Sequence, residues 1–326
     1  MNPSTDMLRF DGRVAIVTGA GRGIGRAHAL LLAARGARVV VNDLGGSMTG
    51  SGASPGPAAD VVSEIVAAGG EAVASTDTVS TPDGGRAIVA AALEAWGRVD
   101  IVVNNAGVLD AEPFEAADEA TIDAALTTHL RGAFHVLRPA WPVMREQRYG
   151  RVVNTSSGAV FGSPAGLAYQ AAKAGLIGLT RGLAVAGGDA GIKVNGLMPT
   201  AYTRMTDTIP DDRFREFLET RFTPERVAAA AALLAHERCP VTGELFATGG
   251  GRIARVFLGV TQGYVSDEIT PEDVAAHFDE IMATGGFTVP ADRMAEFAGY
   301  LGRVGFDPAA LASTRLVDGD REPETE

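Results

Sequence analysis

Short apolar runs without polar alternation punctuate the first 250 residues. Arg13 to Val17, Arg38 to Val41, Ala72 to Ala74, Ile101 to Val103, Arg151 to Val153, Ile192 to Leu197 and Glu244 to Ala247 read as strands. A strand buried on one face alternates apolar and polar residues, whereas one buried on both faces gives an unbroken run. Helical segments lie between the runs. Gly36 stands where the first helix should stop, and Thr81-Pro82 and Thr223-Pro224 each read as an N-cap followed by proline at the first helical position. This alternation predicts an α/β fold with a doubly wound parallel sheet.

Two regions break the pattern. Leu44 to Pro57 is rich in Gly, Ser and Pro and reads as a long surface loop after the second strand. From Gly251 the alternation ends, leaving an apolar stretch to Val265 and helices expected at Pro271–Ala283 and Ala291–Leu301. The expected organisation is a dinucleotide-binding catalytic domain over 1–250. An extension over 251–326 then packs on that domain or on a partner subunit, with Asp318 to Glu326 frayed.

Composition narrows the function. The chain has 326 residues, 46% hydrophobic and 21% charged, enough for a sizeable core. A net charge of −12 with no basic run argues against nucleic acid as a partner. Cys239 is the single cysteine, which excludes an internal disulfide and any multi-cysteine metal site. No apolar run reaches the roughly 18 residues of a membrane span, and no charged-then-apolar leader opens the chain. The expectation is a cytoplasmic protein acting on a small molecule, with no membrane partner and no metal.

The chemistry is concentrated in two places. Gly19, Gly23 and Gly25 lie in TGAGRGIG (Thr18 to Gly25), after a strand and at the start of a helix. Glycines there let backbone approach a pyrophosphate, and the helix N-terminus offers amides and a positive dipole, so the fold is Rossmann-type. Asp43 closes the second strand, where a carboxylate meets the adenosine ribose and repels a 2′-phosphate. Arg22 pulls towards that phosphate; the fixed repulsion outweighs a flexible arginine, and the expected cofactor is NAD. Tyr169 and Lys173 stand one helical turn apart, on one face. An ammonium within about 4–6 Å lowers a phenol's pKa by roughly 1–3 units, bringing the tyrosine towards proton exchange with an alcohol.

These landmarks resemble the short-chain dehydrogenase/reductase family. With them stand Asp77 after the third strand, NNAG at 104–107, the pair Ser156-Ser157, YQAAK at 169–173, and Asn195 and Pro199 after the sixth strand, in family order over about residues 10–250. The resemblance implies that Asp77 accepts from the adenine amino group and Asn104 supports the central strand near the cofactor. It implies that Thr203 holds the nicotinamide carboxamide, and that Ile24, Ala106, Gly107 and Pro199 complete the cofactor site. Tyr169 then carries the substrate proton, and Lys173 lowers its pKa while contacting the ribose. A serine bonds the substrate oxygen. Counting from the strand end gives Ser157, whereas the family's usual spacing back from Tyr169 gives Ser156; Ser157 is preferred, with a one-residue deletion inferred in the loop Gly158–Ala168. His129 in HLRG stands where most members carry the asparagine of the catalytic set. Two readings stand for it: an anchor for a proton-relay water, or a buried histidine bonded to a backbone carbonyl. Thr200 replaces the usual glycine after Pro199. Pro139 and Pro142 fall inside an expected long helix and predict a break or kink there.

NDLGG at 42–46, THLRGAF at 128–134, YGRVVNTSS at 149–157 and TRMT at 203–206 are similar to one subgroup. It contains the (3R)-hydroxyacyl-CoA dehydrogenase unit of type 2 peroxisomal multifunctional enzymes and stand-alone bacterial relatives. The resemblance implies NAD-dependent hydride transfer at the 3-hydroxyl of an acyl thioester, with Arg204, Arg213, Arg215 and Arg221 as candidates for a basic rim. It also implies a homodimer or homotetramer through the helix ending at Trp141 and the helix of Tyr169. The terminus Pro323-Glu324-Thr325-Glu326 carries no Ser-Lys-Leu address and no hydratase or sterol-carrier module follows, so a free-standing dehydrogenase is expected. The rival readings are a dehydrogenase of a steroid or other secondary alcohol, and an NAD(H)-binding protein without turnover.

Overall fold

A computed structural model describes residues 7–47, 49, 51–203 and 211–305. The chain divides into two compact units, the first running to Val256 and the second from Phe257.

The first unit is built on one eight-stranded sheet in the order β3-β2-β1-β4-β5-β6-β7-β8. Its strands are β1 Val14–Thr18, β2 Arg38–Asn42, β3 Glu71–Ser75, β4 Ile101–Asn104, β5 Gly150–Thr155, β6 Ile192–Pro199, β7 Leu245–Gly249 and β8 Arg252–Val256. β1 to β7 pair in parallel, and all seven fall at the expected runs to within the usual one or two residues. The helices are α1 Gly23–Ala34, α2 Gly56–Ala67, α3 Pro82–Trp96, α4 Glu119–Ala125, α5 Gly132–Gln147, α6 Leu167–Gly187, α7 Asp212–Arg221 and α8 Pro224–Ala235.

The unbroken apolar runs follow from burial on both faces. Ala15, Val17, Val39 and Val41 pack in a core with Leu32 of α1, Ile65 of α2 and Leu234 of α8. Their neighbours Val14, Ile16 and Val40 point the other way, to Ile88 of α3 and Val136 and Met144 of α5. Cutting one such side chain to alanine, Ile16→Ala for instance, costs about 2–5 kcal/mol. Between β1 and β4 the winding reverses, and that switch point opens a crevice at the carboxyl ends of the strands. The Thr81 hydroxyl accepts from the Gly84 amide as an N-cap, whereas Thr223 precedes Pro224 without a side-chain cap.

Three expectations change. The sheet does not end at residue 250: β8 folds back antiparallel on β7 through Gly250-Gly251, both at positive φ (59° and 87°). That is the twist a two-residue hairpin needs. α5 is not broken by its prolines. Pro139 cannot donate to the His135 carbonyl one turn back, but Gly85 of α3 comes against that carbonyl so closely that no side chain would fit there. The expected helix over 271–283 forms as two pieces, α9 Pro271–Ala276 and α10 Phe278–Met282. His277 breaks it: its Nδ1 bonds the Asp273 carbonyl and its ring stacks on Tyr264 at 3.9 Å.

The second unit further holds α11 Arg293–Arg303, capped by Asp292, and a bridge between Val260 and Thr288. None of its described residues is buried. Among the described residues no helix is long and apolar enough to cross a membrane, and no His/Cys/Asp/Glu group could hold a metal ion.

Candidate active site

The crevice at the switch point is a cleft of about 560 Å³ that brings together Gly19, Arg22, Gly23, Ile24, Gly25, Asp43, Asp77, Ala106, Gly107, His129, Tyr169, Lys173, Pro199 and Thr203. Thr18 and Asn105 tie its floor. The Thr18 hydroxyl accepts from the amides of Asn105 (3.0 Å) and Ala106 (3.1 Å), and Asn105 Nδ2 donates to the carbonyls of Thr18 and Gly19. Both residues escaped selection from the sequence, although each sits inside a quoted motif. Asn104 points elsewhere: its Nδ2 donates to Asn154 Oδ1, and Asn154 to Thr180 of α6, so it braces β4, β5 and α6 without lining the cleft.

A dinucleotide fits the first half of the cleft. α1 opens with neither a side-chain cap nor an acidic residue in its first turn, leaving its amides and positive dipole end for an anion. Gly25 lies so close to the Gly19 carbonyl that a β-carbon would collide with it, which keeps the turn bare backbone. The Asp43 carboxylate accepts from the amides of Gly21 (2.8 Å) and Gly45 (2.7 Å), fixing its charge at the end of β2. Asp77 accepts from Ser75 while its carbonyl receives Asn42 Nδ2. Arg22 reaches the Gly46 carbonyl at 3.5 Å. Thr203 lies beside Gly23; the rest of TRMT, and Arg204, fall outside the described residues.

The second half is lined by His129, Ser156, Tyr169 and Lys173, and Ser157 is not among its lining residues. Ser156 and Ser157, adjacent in sequence, part company. The Ser156 hydroxyl is buried and donates to the Lys173 carbonyl at 2.8 Å, fastening β5 to α6. The Ser157 hydroxyl receives the Ala159 amide and lies near enough to the Tyr169 phenol to pull its pKa down. Lys173 is 4% exposed, its Nζ 2.6 Å from the Thr155 carbonyl and 5.5 Å from the centre of the Tyr169 ring. Burial pushes its pKa down to about 7. The Tyr169 phenol goes the opposite way from the expectation: burial raises it, with Ser157 pulling down. The ammonium is directed at Thr155, and desolvation weakens its own charge, so it does not offset the burial of the phenol.

His129 sits in a π turn, Leu126–Arg131, between α4 and α5, a rare element that concentrates at functional sites. Its ring meets Tyr169 edge-on at 5.0 Å. Nε2 lies 2.8 Å from the Val108 carbonyl and 3.1 Å from the Val108 amide. Either tautomer therefore satisfies Nε2 and leaves Nδ1 without a partner among the described residues; Thr155 Oγ1 is likewise unpartnered. The bonded-to-backbone reading is thus seen, and a free nitrogen remains. Its pKa falls to about 3, through burial first and the Lys173 charge second, so the ring is neutral at working pH. Gly107 is pressed against the imidazole, where a β-carbon would overlap it. One more residue was not read from the sequence. Asp110, buried, accepts from the Tyr169 backbone amide (3.4 Å) and from Glu112 (3.1 Å), holding the first turn of α6.

A nucleotide cradle and a Ser-Tyr-Lys group at the ends of parallel strands define a dinucleotide-dependent oxidoreductase. The chain belongs to the short-chain dehydrogenase family, whose model matches residues 13–213. It is 46% identical to a short-chain type dehydrogenase/reductase of Mycobacterium tuberculosis, over 84% of this chain and 95% of the relative. It is 42% identical to the mouse peroxisomal multifunctional enzyme type 2, over 84% of this chain but 37% of that enzyme's length. The solved full-length peroxisomal multifunctional enzyme type 2 of Drosophila melanogaster superposes with a TM-score of 0.76 at 32% identity, covering 93% of this chain and 51% of that one.

Proposed function

We propose that the protein oxidises (3R)-3-hydroxyacyl-CoA thioesters with NAD and reduces 3-oxoacyl-CoA in the reverse direction. The observation that carries the reaction class is the grouping of Tyr169 with Lys173, whose Nζ lies 5.5 Å from the Tyr169 ring centre, and with Ser157, near enough to pull the phenol's pKa down. A serine and a tyrosine hydroxyl on the same side of the site can both bond one substrate oxygen. The likeness to peroxisomal multifunctional enzyme type 2, over the part that holds these landmarks, supports the thioester.

When bound, the nicotinamide supplies or accepts the hydride. Ser157 donates to the substrate oxygen as charge develops on it. Tyr169 Oη takes the alcohol proton in oxidation and returns it in reduction. Because burial raises its pKa, Tyr169 holds its proton at neutral pH and is set as the acid; oxidation gains with rising pH. Lys173 holds the nicotinamide ribose, and His129 braces the phenol ring while its Nδ1 holds a relay water. The fixed Asp43 carboxylate favours NAD by repelling a 2′-phosphate. The protein is cytoplasmic and assembles as a homodimer or homotetramer through α5 and α6.

The test is reduced-nicotinamide formation with a medium-chain (3R)-hydroxyacyl-CoA, its 3S isomer and a panel of hydroxysteroids. Selective turnover of the 3R thioester is expected. Turnover of steroids alone would keep the catalytic residues and discard the thioester.

A further inference from the structure

Beyond the cleft, the first unit holds a second cavity of about 460 Å³, lined by Thr200, Phe217, Arg221, Phe222, Arg252 and the turn at the end of β7. Thr200 faces both spaces and is their common wall. Its amide is tied to the Thr248 carbonyl at 2.8 Å. The Phe222 ring lies against Gly250, and Phe217 meets Phe222 at 5.9 Å with the rings inclined by 61°. Arg226 reaches the Gly250 carbonyl and steadies the hairpin turn from below.

The arginines on this side differ in their partners. Arg215 pairs with Asp212, and Arg255 grips Glu244 through two bonds of 2.6 and 2.7 Å. Arg221 ends α7 and Arg252 begins β8, so they come from separate elements to one rim, and neither has an acidic partner among the described residues. In a chain of net charge −12, two such guanidinium groups beside aromatic rings make an anion site with flat apolar surfaces. Guanidinium forks suit phosphate oxygens, and aromatic faces suit a purine. Of the four basic-rim candidates, only Arg221 thus lies in a cavity and without an acidic partner; Arg204 is outside the described residues and Arg213 is exposed away from both cavities.

We propose that this second cavity holds the nucleotide end of the acyl-CoA substrate, with Arg221 and Arg252 on its phosphates and the phenylalanines beside its adenine. The flexible thioester arm then passes Thr200 to reach Tyr169. This deepens the function proposed above and rests on it.

The test compares one (3R)-3-hydroxyacyl group carried on CoA and on N-acetylcysteamine, which lacks the nucleotide, in wild type and in the double variant Arg221→Gln/Arg252→Gln. For the CoA ester the variant should lose about tenfold or more in kcat/KM, through KM, and its salt dependence should flatten. The truncated ester should change less than about twofold, which also shows that the variant is folded. Equal losses on both esters, or none on either, would overturn the proposal. A second readout needs no turnover: adenosine 3′,5′-bisphosphate titrated into enzyme saturated with NADH, so that the dinucleotide cleft is filled. Wild type should bind it and the double variant should not; no binding to wild type overturns the site. Binding without turnover of either ester would support the nucleotide site and overturn the proposed reaction instead.

Discussion

Lys173→Met should remove activity yet stabilise the protein near neutral pH. The side chain is 4% exposed, and its ammonium has one carbonyl partner, that of Thr155. Burial lowers its pKa from 10.5 to about 7. A base depressed in the folded state binds fewer protons there than in the unfolded chain across that interval. Its contribution is therefore most favourable above 10.5 and is lost as pH falls towards 7. At about 1.36 kcal/mol per pH unit the gap amounts to about 5 kcal/mol withheld from the native state near pH 6. Methionine restores that amount but leaves the Thr155 carbonyl unpaired, at a cost of about 1–3 kcal/mol. The variant should therefore gain about 2–4 kcal/mol near pH 6, with the gain gone or reversed near pH 10. Urea unfolding of both proteins without ligand, at several pH values, measures the difference and cancels the titrations they share. A variant less stable than wild type near pH 6, or a difference that ignores pH, would show that Lys173 is not held as a desolvated cation.

The serine pair should separate cleanly: Ser157→Ala should cost about a hundredfold or more in kcat, whereas Ser156→Ala should lose about 1 kcal/mol of stability and little kcat. The opposite pattern would exchange their roles. His28 is buried with neither ring nitrogen bonded among the described residues, and its pKa falls to about 4. It therefore contributes stability above 6.5 that is lost as pH falls to about 4, and His28→Leu should move acid unfolding to lower pH; an unmoved acid transition would refute this. Asp43→Ala should weaken NADH binding more than NADPH binding in a fluorescence titration, and an unchanged ratio would place the specificity determinant elsewhere.

Much of this was legible in the chain because the signals were periodic or geometric. Residues 14–17 are apolar at every position since both sheet faces are covered, and the glycines at 19, 23 and 25 mark a turn that must stay bare. What escaped depends on three-dimensional neighbours. The catalytic domain is expected to end at residue 250, because only the pairing of Ile253 with Thr248 reveals a hairpin. Pro139 and Pro142 read as a break or kink, because Gly85, which comes against the His135 carbonyl freed by Pro139, lies on another helix. Spacing left the serine assignment open between two counts, because it does not encode where two adjacent hydroxyls point. Tyr169 and Lys173 do share one helix, but the direction of the phenol's pKa follows from burial that a helical turn does not encode. Asp110 reaches α6 through the backbone amide of Tyr169, and nothing in its sequence neighbourhood marks that contact.

The decisive comparison is wild type against Tyr169→Phe, assayed for reduced-nicotinamide formation from a (3R)-hydroxyacyl-CoA and, in parallel, for NADH affinity. If Tyr169 carries the substrate proton in this reaction, wild type turns over the 3R thioester while the variant is inactive and binds NADH as tightly as before. Substantial turnover by the variant, or a wild type inert towards the 3R thioester, would contradict it.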